Sequence, residues 1–408
     1  MPKGETVLTL FLSSPSDVVE ERSAIAEEIK FLNIPFNKYL SIRLDLESWE
    51  THVSPDMGTY PQDVINKQIG DHYDIFIGIM WTRFGTETDM AGSGTEEEFN
   101  RAYARYKKNP GKIRIMFYFR DPKAAQANVD KVQLEKVKEF KKSLKEKGCL
   151  YFSYDNVRDF LIYIRLHLTS AVFDWIKTNI PDVLKELQTK IKEMSQLPEK
   201  ESDRIDNGNI YKDIDKFELT YDEAVRKAMD SYKTLIQITM RIGDYFKNFS
   251  ADSNSNTTEL TKIRHLPKEV RLKETKKICR NQAENLNHLV NKLKSEMPLF
   301  SEKIRTGPEY FGKVVILFLG FRGNHLASLD LAHQSALKIL KSIILLKTKL
   351  LELRETVNDT PKFIAVLNKA KRKTLEILNS LYQEFTNGEL LTNEVEKSIG
   401  KILAITDE

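Results

Sequence analysis

The sequence predicts a parallel α/β domain of five strands followed by an all-α helical bundle. Strand and helix patterns alternate through the first 180 residues, whereas helix patterns alone fill the chain from about residue 215. Regular alternation of this kind is typical of a parallel sheet with helices on both faces. The run Ile75–Met80 supports it, because a strand that is apolar at nearly every position suits the covered centre of such a sheet.

Five strands and five helices are expected in the first domain, residues 1–180. The strands are predicted at Thr6–Ser13, Ile42–Trp49, Ile75–Met80, Ile113–Phe119 and Leu150–Tyr154. The helices are predicted after the Ser13–Asp17 turn, at Tyr60–Ile69, after the Gly92–Gly94 loop, at Lys131–Glu146 and at Val157–Thr178. This order indicates a flavodoxin-like domain.

The composition changes in the second half of the chain. Residues 181–214 are predicted to hold the end of a helix and a linker, because the stretch after Leu197 contains almost no core-forming residue. In residues 215–408, apolar side chains recur at three- and four-residue spacing, which indicates a helical bundle. The candidate helices are Tyr221–Phe246, Lys268–Leu293, Tyr310–Leu353, Pro361–Phe385 and Asn393–Leu403.

Two kinds of interruption are expected in the bundle. The polar segment Asn248–Thr258 should be mobile, because its side chains are small and hydrophilic. Pro298, Gly307 and Pro308 should separate the second helix from the third. The third helix, Tyr310–Leu353, would then span on the order of 60 Å at 1.5 Å per residue, as the centre of the bundle or part of a subunit interface.

Composition narrows the class of protein. The net charge of +4, from 63 basic and 59 acidic side chains, is nearly balanced, so neither nucleic acid nor an anionic membrane is expected as a partner. Cys149 and Cys279 lack the spacing of a disulfide framework or a thiolate metal site, which favours a cytoplasmic location. No segment approaches the roughly 18 apolar residues of a membrane span. His325 and His333 would lie about 12 Å apart on one helix, too far to share a metal ion.

Ligands of parallel sheets bind outside the carboxyl ends of the strands, where the strand order reverses. Four loops meet that description. Their candidate residues are Ser13, Ser14 and Asp17 after the first strand, Trp49, Glu50 and His52 after the second, Trp81, Arg83 and Phe84 after the third, and Ser93, Thr95 and Glu98 at the next helix. Such a cleft offers hydroxyls for phosphate or ribose, aromatic rings for a base, an arginine and a carboxylate.

The helix that begins near Ser93 carries three consecutive glutamates. We expect Thr95 to cap it, Glu98 to border its buried face, and Glu96 and Glu97 to point to water. The alternative is that all three are ordinary acidic residues of a first helical turn.

Other candidates also have structural alternatives. In these alternatives, Trp81 would only pack at a strand end and Arg83 would pair with a carboxylate such as Glu87. Ser14 and Asp17 would only cap the first helix. Arg22 is expected to tie that helix to a neighbouring element.

Three motifs resemble a known family: S-S-P-S-D-V-V-E-E-R from Ser13, D-I-F-I-G-I-M-W-T-R-F-G from Asp74, and S-G-T-E-E-E-F-N-R-A from Ser93. They resemble domain-of-unknown-function family 4062, over roughly residues 5–180. That family is similar in fold to Toll/interleukin-1 receptor (TIR) domains and to nucleoside deoxyribosyltransferases. The resemblance implies a TIR-like fold with Glu98 as the catalytic glutamate, because Thr95, Glu98 and Ala102 match the T-x-x-E-x-x-x-A spacing of the catalytic helix.

The resemblance also implies a function. We expect a bacterial antiphage effector that cleaves the N-glycosidic bond of NAD or a related nucleotide, as substrate and not cofactor, under control of the helical half. A homo-oligomer formed through the helical half and a protein activator are the expected partners. The alternative is a non-catalytic protein-interaction or nucleotide-sensing module. The chain has no G-x-x-x-x-G-K-[ST] phosphate loop, so assembly by an ATPase is not expected.

Overall fold

The computed structural model describes residues 4–48, 54, 56–121, 130–181, 221–318, 326–360 and 364–407. The chain forms two compact units, a sheet domain and a helical domain. The linker predicted after Leu197 lies outside the described residues, as do Trp49, Glu50 and His52. None of the described helices is long and apolar enough to cross a membrane.

The sheet has the predicted five parallel strands. They are β1 (Thr6–Ser13), β2 (Ile42–Glu47), β3 (Ile75–Met80), β4 (Arg114–Arg120) and β5 (Tyr151–Tyr154). Their order is β2-β1-β3-β4-β5, which confirms the flavodoxin-like prediction. The strand order reverses between β1 and β3, where Ser13 lies opposite Gly78. In sheets of this type, ligands bind just beyond that point.

Five α-helices of this domain lie among the described residues. They are α1 (Val19–Pro35), α2 (Pro61–Ile69), α3 (Gly94–Lys108), α4 (Lys131–Glu146) and α5 (Val157–Asn179), and a π-helical turn (Phe36–Leu40) follows α1. Helices α1 and α5 pack together and are joined by a buried ion pair, in which Arg165 donates to both oxygens of Glu28 at 2.7 Å. Helices α2, α3 and α4 share one apolar core with the sheet.

Gly78 brings α3 and α4 close to the centre of the sheet. A Cβ at this position would lie 2.2 Å from a ring carbon of Phe117, so the ring crosses β3 only because residue 78 has no side chain. The Phe117 ring packs edge-on against Phe99 of α3 and Phe140 of α4, at centroid distances of 6.0 and 5.4 Å. This packing fixes the start of α3 beside the carboxyl end of β1.

Four long helices form the helical domain. They are α6 (Tyr221–Lys262), α7 (Lys268–Phe318), α8 (Leu326–Asp359) and α9 (Ala365–Asp407). Helix α8 packs along both α6 and α9. Its fully buried residues recur at helical spacing and include Leu329, Ala336, Ile339, Ile343 and Leu350. The predicted all-α character is confirmed. Helices α6 and α7 are longer than predicted. Helix α9 is continuous where two helices, Pro361–Phe385 and Asn393–Leu403, were predicted.

The polar segment Asn248–Thr258 is helical, so the prediction of a mobile interruption is wrong. It continues α6 without a break. Its hydroxyl groups donate to backbone carbonyls four residues earlier, as Thr258 does to Asn254 at 2.9 Å. The Asn256 amide also bonds to Gln282 of α7. Small polar side chains therefore remain satisfied inside the helix.

The predicted break at Pro298, Gly307 and Pro308 is also wrong, because α7 runs through all three residues. Phe300 is fully buried beside Pro298 and anchors this part of the helix. A Cβ on Gly307 would lie 2.7 Å from the ring of Tyr232, so glycine here allows close packing instead of a turn. The start of the predicted helix Tyr310–Leu353 belongs to α7. Residues 319–325 of this predicted helix lie outside the described residues, and its remaining part belongs to α8.

Candidate active site

Helix α3 begins at Gly94 and is capped by Ser93. The Ser93 hydroxyl oxygen accepts a hydrogen bond from the Glu96 backbone N–H at 3.1 Å, and Glu96 Oε2 accepts one from the Gly92 N–H at 2.8 Å. The predicted cap, Thr95, is instead buried within the first turn. These bonds at the helix start fix the direction in which its acidic side chains point.

Glu98 is buried at the edge of the sheet where ligands are expected. The Ser13 hydroxyl donates to Glu98 Oε2 at 2.5 Å, and the Gln62 amide donates to Glu98 Oε1 at 2.8 Å. Ser13 and Gln62 are themselves buried. The structure therefore joins the end of β1, the start of α2 and the start of α3 through one carboxyl group.

Burial raises the pKa of Glu98 to about 7. Loss of hydration is the largest cause, since it penalises the charged form; the hydrogen bonds from Ser13 and Gln62 and the positive charge of Arg101 oppose it. A carboxyl group that titrates near neutral pH can gain or lose a proton during a reaction. Shifts of this kind are concentrated at functional sites.

Glu97 is also buried, so the prediction that it points to water is wrong. The Tyr60 hydroxyl and the Asn66 amide donate to Glu97 Oε1 at 2.8 and 2.7 Å. Glu97 Oε2 is buried and has no partner among the described residues. Glu96 is partly exposed. The position of Glu97 on the helix predicts that its side chain is exposed. In the structure, Tyr60 and α2 cover that side of α3.

The two amides of α2 were not predicted as site residues. Gln62 and Asn66 lie four residues apart on one face of α2 and meet Glu98 and Glu97 respectively. Two amides at this spacing are visible in the sequence. What the sequence does not contain is the pairing of α2 with α3.

Asp17 joins the loop after β1 to the loop after β3. Its Oδ2 accepts hydrogen bonds from the backbone N–H groups of Thr82 and Arg83, both at 2.9 Å, and from the Thr82 hydroxyl at 3.0 Å. Asp17 is thus not a helix cap, because Val18 occupies the cap position and makes no side-chain cap bond. Asp17 Oδ1 is buried without a partner among the described residues.

The remaining side chains of these two loops bond to their neighbours. Arg22 of α1 donates to the Ser14 hydroxyl at 3.2 Å and to the Pro15 carbonyl at 2.7 Å, which ties α1 to the preceding loop as expected. Arg83 is exposed and donates to the Ser16 hydroxyl at 3.1 Å, so its predicted pairing with a carboxylate is wrong. Arg83 remains accessible from solvent.

The two aromatic candidates have different surroundings. Phe84 is only 5% exposed and packs edge-on against Phe140 at 5.7 Å, so its ring belongs to the apolar core. Trp81 is partly exposed, and the guanidinium of Arg120 lies 4.3 Å from the centre of its ring. The indole N–H of Trp81 is buried without a partner among the described residues.

Three cavities are lined by described residues of the sheet domain, and Glu98 lines the smallest of these three. The cavity that Glu98 lines holds about 10 Å³, less than one water molecule requires in most sites. A larger groove of about 510 Å³ lies between α2 and α3 and is lined by Tyr60, Asn66, Glu97 and Arg101 among others. Another cavity, of about 820 Å³, lies at the opposite edge, near the amino ends of β3 and β4. Glu98 is 6% exposed, and the cavity that it lines is too small for a ligand.

Residues 9–169 match the family model described as "Domain of unknown function (DUF4062)". The matched residues lie within the sheet domain. This confirms the resemblance noted in the sequence, and the match ends before the helical domain begins. No curated protein matches the chain. The DUF4062 description assigns no activity.

Proposed function

We propose that the DUF4062 domain cleaves the N-glycosidic bond of NAD or a related nucleotide, with Glu98 as its catalytic carboxylate. The observation that carries this proposal is the environment of Glu98. Its carboxyl group is buried where the strand order reverses, is oriented by Ser13 and Gln62, and has a pKa of about 7. A carboxyl group oriented in this way and excluded from water suits the stabilisation of a developing positive charge.

The reaction requires one carboxylate. The bond between the ribose anomeric carbon and the nicotinamide nitrogen breaks, and its electron pair stays with the nitrogen, so that nicotinamide leaves as a neutral molecule. Positive charge develops on the anomeric carbon and is stabilised or captured by the Glu98 carboxylate. Water then adds to that carbon and releases a proton, which yields ADP-ribose.

The enclosed position of Glu98 fits an activity that is off until a trigger opens the site. Both carboxyl oxygens bond to protein side chains, and the adjacent cavity of about 10 Å³ has no room for a nucleotide. Continuous cleavage of NAD would harm the cell that makes the enzyme. We therefore propose that the chain is an effector of bacterial antiphage defence and that its helical domain, upon sensing a trigger, permits the site to open.

The test measures nicotinamide release from NAD by the purified full chain, and NAD content in bacteria that express it before and after phage challenge. Glu98→Gln should lower the triggered activity by about 100-fold or more, because it removes the carboxylate that faces the developing charge. Activity of the parent should rise with pH through about 7, since only the ionised carboxylate is active.

Glu97→Gln is the matched control. It makes the same substitution one residue away, and its side-chain carbonyl can still accept the bonds from Tyr60 and Asn66. We expect it to retain activity. Equal loss in both variants would contradict a specific role for Glu98.

One observation favours a second function, a non-catalytic module that senses a nucleotide or binds a protein. Ser13 and Gln62 already satisfy both oxygens of Glu98. Calorimetry with NAD and ADP-ribose separates the two proposals. Binding without nicotinamide release, in triggered and untriggered samples alike, would select the non-catalytic module.

A further inference from the structure

The end of the helical domain where α6 meets α7 carries concentrated positive charge. Between Lys262 and Arg280, the chain has eight lysines and arginines and only two acidic residues. The excess of six positive charges is larger than the +4 of the whole chain. We call these eight cationic residues the basic tip; they are Lys262, Arg264, Lys268, Arg271, Lys273, Lys276, Lys277 and Arg280.

The cationic groups of the basic tip are free to meet a partner. All eight residues are exposed. None of them forms an ion pair with a residue in the described part of the chain. The turn itself is held in shape, since Arg271 donates to the Arg264 carbonyl at 3.0 Å. Positive charge without internal partners favours the binding of an anion from outside.

The charges form a row along α7. Lys273, Lys276, Lys277 and Arg280 recur at helical spacing and share the face opposite Ile278 and Cys279, which are buried. From Lys273 to Arg280 the row extends about 10 Å at 1.5 Å per residue. A row of this length fits a polymer of phosphates better than a single phosphate group.

The neighbouring side chains narrow the class of polyanion. The last turns of α6 expose Asn254 and Ser255, uncharged donors of the kind that contact sugar and phosphate. No Phe, Tyr or Trp occurs in residues 250–280, so unpaired bases would find no ring for stacking. Two apolar side chains next to the basic tip, Val270 and Leu272, are exposed. They offer little apolar area for insertion into a membrane.

We propose that the basic tip binds the phosphate backbone of a nucleic-acid duplex, independently of base sequence. The net charge of the whole chain is nearly balanced, but this total does not show how the charges are distributed. The fold places the excess on one exposed end of one domain. Duplex binding would make nucleic acid a trigger candidate for the helical domain, but the binding itself does not depend on the activity proposed for Glu98.

The test uses the full chain and fluorescence anisotropy with labelled duplex DNA, duplex RNA and the corresponding single strands at several salt concentrations. If four to six phosphates are contacted, the logarithm of the affinity should fall against the logarithm of salt with a slope of about −4 to −5. The tip variant combines Lys273→Ala, Lys276→Ala, Lys277→Ala and Arg280→Ala. It should bind at least about tenfold more weakly and show a slope shallower by about 3 to 4.

A matched control removes the same four charges elsewhere in the helical domain, through Lys349→Ala, Lys369→Ala, Arg372→Ala and Lys373→Ala, all at exposed positions. The control should bind duplex like the parent, and circular dichroism verifies that both variants are folded. Equal losses in the tip variant and the control would overturn the proposal, as would a parent that binds no duplex at low salt. Preference for single strands, or binding only to vesicles of anionic lipid, would also overturn it.

Discussion

At the scale of single residues, two consecutive glutamates are buried next to each other and have different hydrogen-bond partners. Glu98 has one partner on each carboxyl oxygen, whereas Glu97 receives both of its hydrogen bonds on one oxygen. A pKa of about 7 is assigned to Glu98, with loss of hydration as the main cause. The environment supplied by β1 and α2, and not the identity of the side chain, therefore distinguishes the two acids.

The raised pKa of Glu98 predicts how stability depends on pH. Folding raises this pKa from 4.5 to about 7, so between these values the folded domain binds more protons than the unfolded chain. This contribution therefore makes the domain less stable as the pH rises from about 4.5 to about 7, by up to about 3 kcal/mol, and is constant above that range. Glu98→Gln stays neutral, so it should remove this dependence and be more stable than the parent at pH 8, with a smaller difference at pH 5.

Urea unfolding followed by tryptophan fluorescence measures this effect. The three tryptophans, Trp49, Trp81 and Trp175, all lie in the first 180 residues, so their emission reports on the sheet domain. Glu97→Gln serves as the control because it removes a neighbouring acid and leaves Glu98 in place. If Glu98→Gln shows the same pH dependence as the parent, Glu98 is not the group with the raised pKa.

Part of the candidate site could be predicted from the sequence. Ser13 ends a predicted strand, and Glu98 lies near the start of a predicted helix. The rule for parallel sheets places the end of this strand and the start of this helix at the same edge of the sheet. Tyr60, Gln62 and Asn66 could not be assigned, because their role depends on which side of α3 the preceding helix covers. The burial of Phe84 likewise depends on its packing against α4.

At the scale of secondary-structure elements, the sheet domain was easier to predict than the helical domain. Each strand is a short apolar run bounded by turn residues, so the pattern contains both the element and its ends. In α6 and α7, polar residues and prolines predicted ends that do not exist. In these helices, packing against neighbouring helices determines where each helix ends, as the close contact of Gly307 with Tyr232 illustrates.

The glycines of the helical domain give a prediction at this scale. A Cβ on Gly388 of α9 would lie 2.4 Å from Ile304 Cγ1, whereas a Cβ on Gly243 of α6 would meet only Leu346, at 3.8 Å. Gly388→Ala should destabilise the domain by about 1–3 kcal/mol through overpacking. Gly243→Ala should stabilise it by about 1 kcal/mol, because alanine is the better helix former.

Urea unfolding followed by circular dichroism at the helix band measures both changes. The two variants make the same substitution within helices, so helix propensity alone predicts that both stabilise the domain. Stabilisation by Gly388→Ala would show that the contact between α7 and α9 adjusts without strain.

At the scale of the whole molecule, α8 combines a buried side with two pairs of exposed apolar residues. Leu329, Ile343 and Leu350 are buried against the neighbouring helices. Leu331 and Leu345 are each 57% exposed and lie two heptads apart. Ile344 and Leu351 are 45% and 37% exposed and lie one heptad apart. Heptad spacing of exposed apolar residues is typical of a helix that packs against a second helix.

We therefore expect the chain to form a homo-oligomer through the outer side of α8. Leu331→Glu combined with Leu345→Glu should convert it to a monomer, because an interface would have to bury both charges without partners. Light scattering on the full chain over a range of concentrations measures the molecular mass. Met240→Glu combined with Val366→Glu is the control, since both side chains are exposed and lie on α6 and α9. A parent chain that stays monomeric at high concentration would remove the assembly role and leave the helical domain to act within one chain. If the control dissociates as readily as the α8 variant, the contact lies elsewhere on the helical domain.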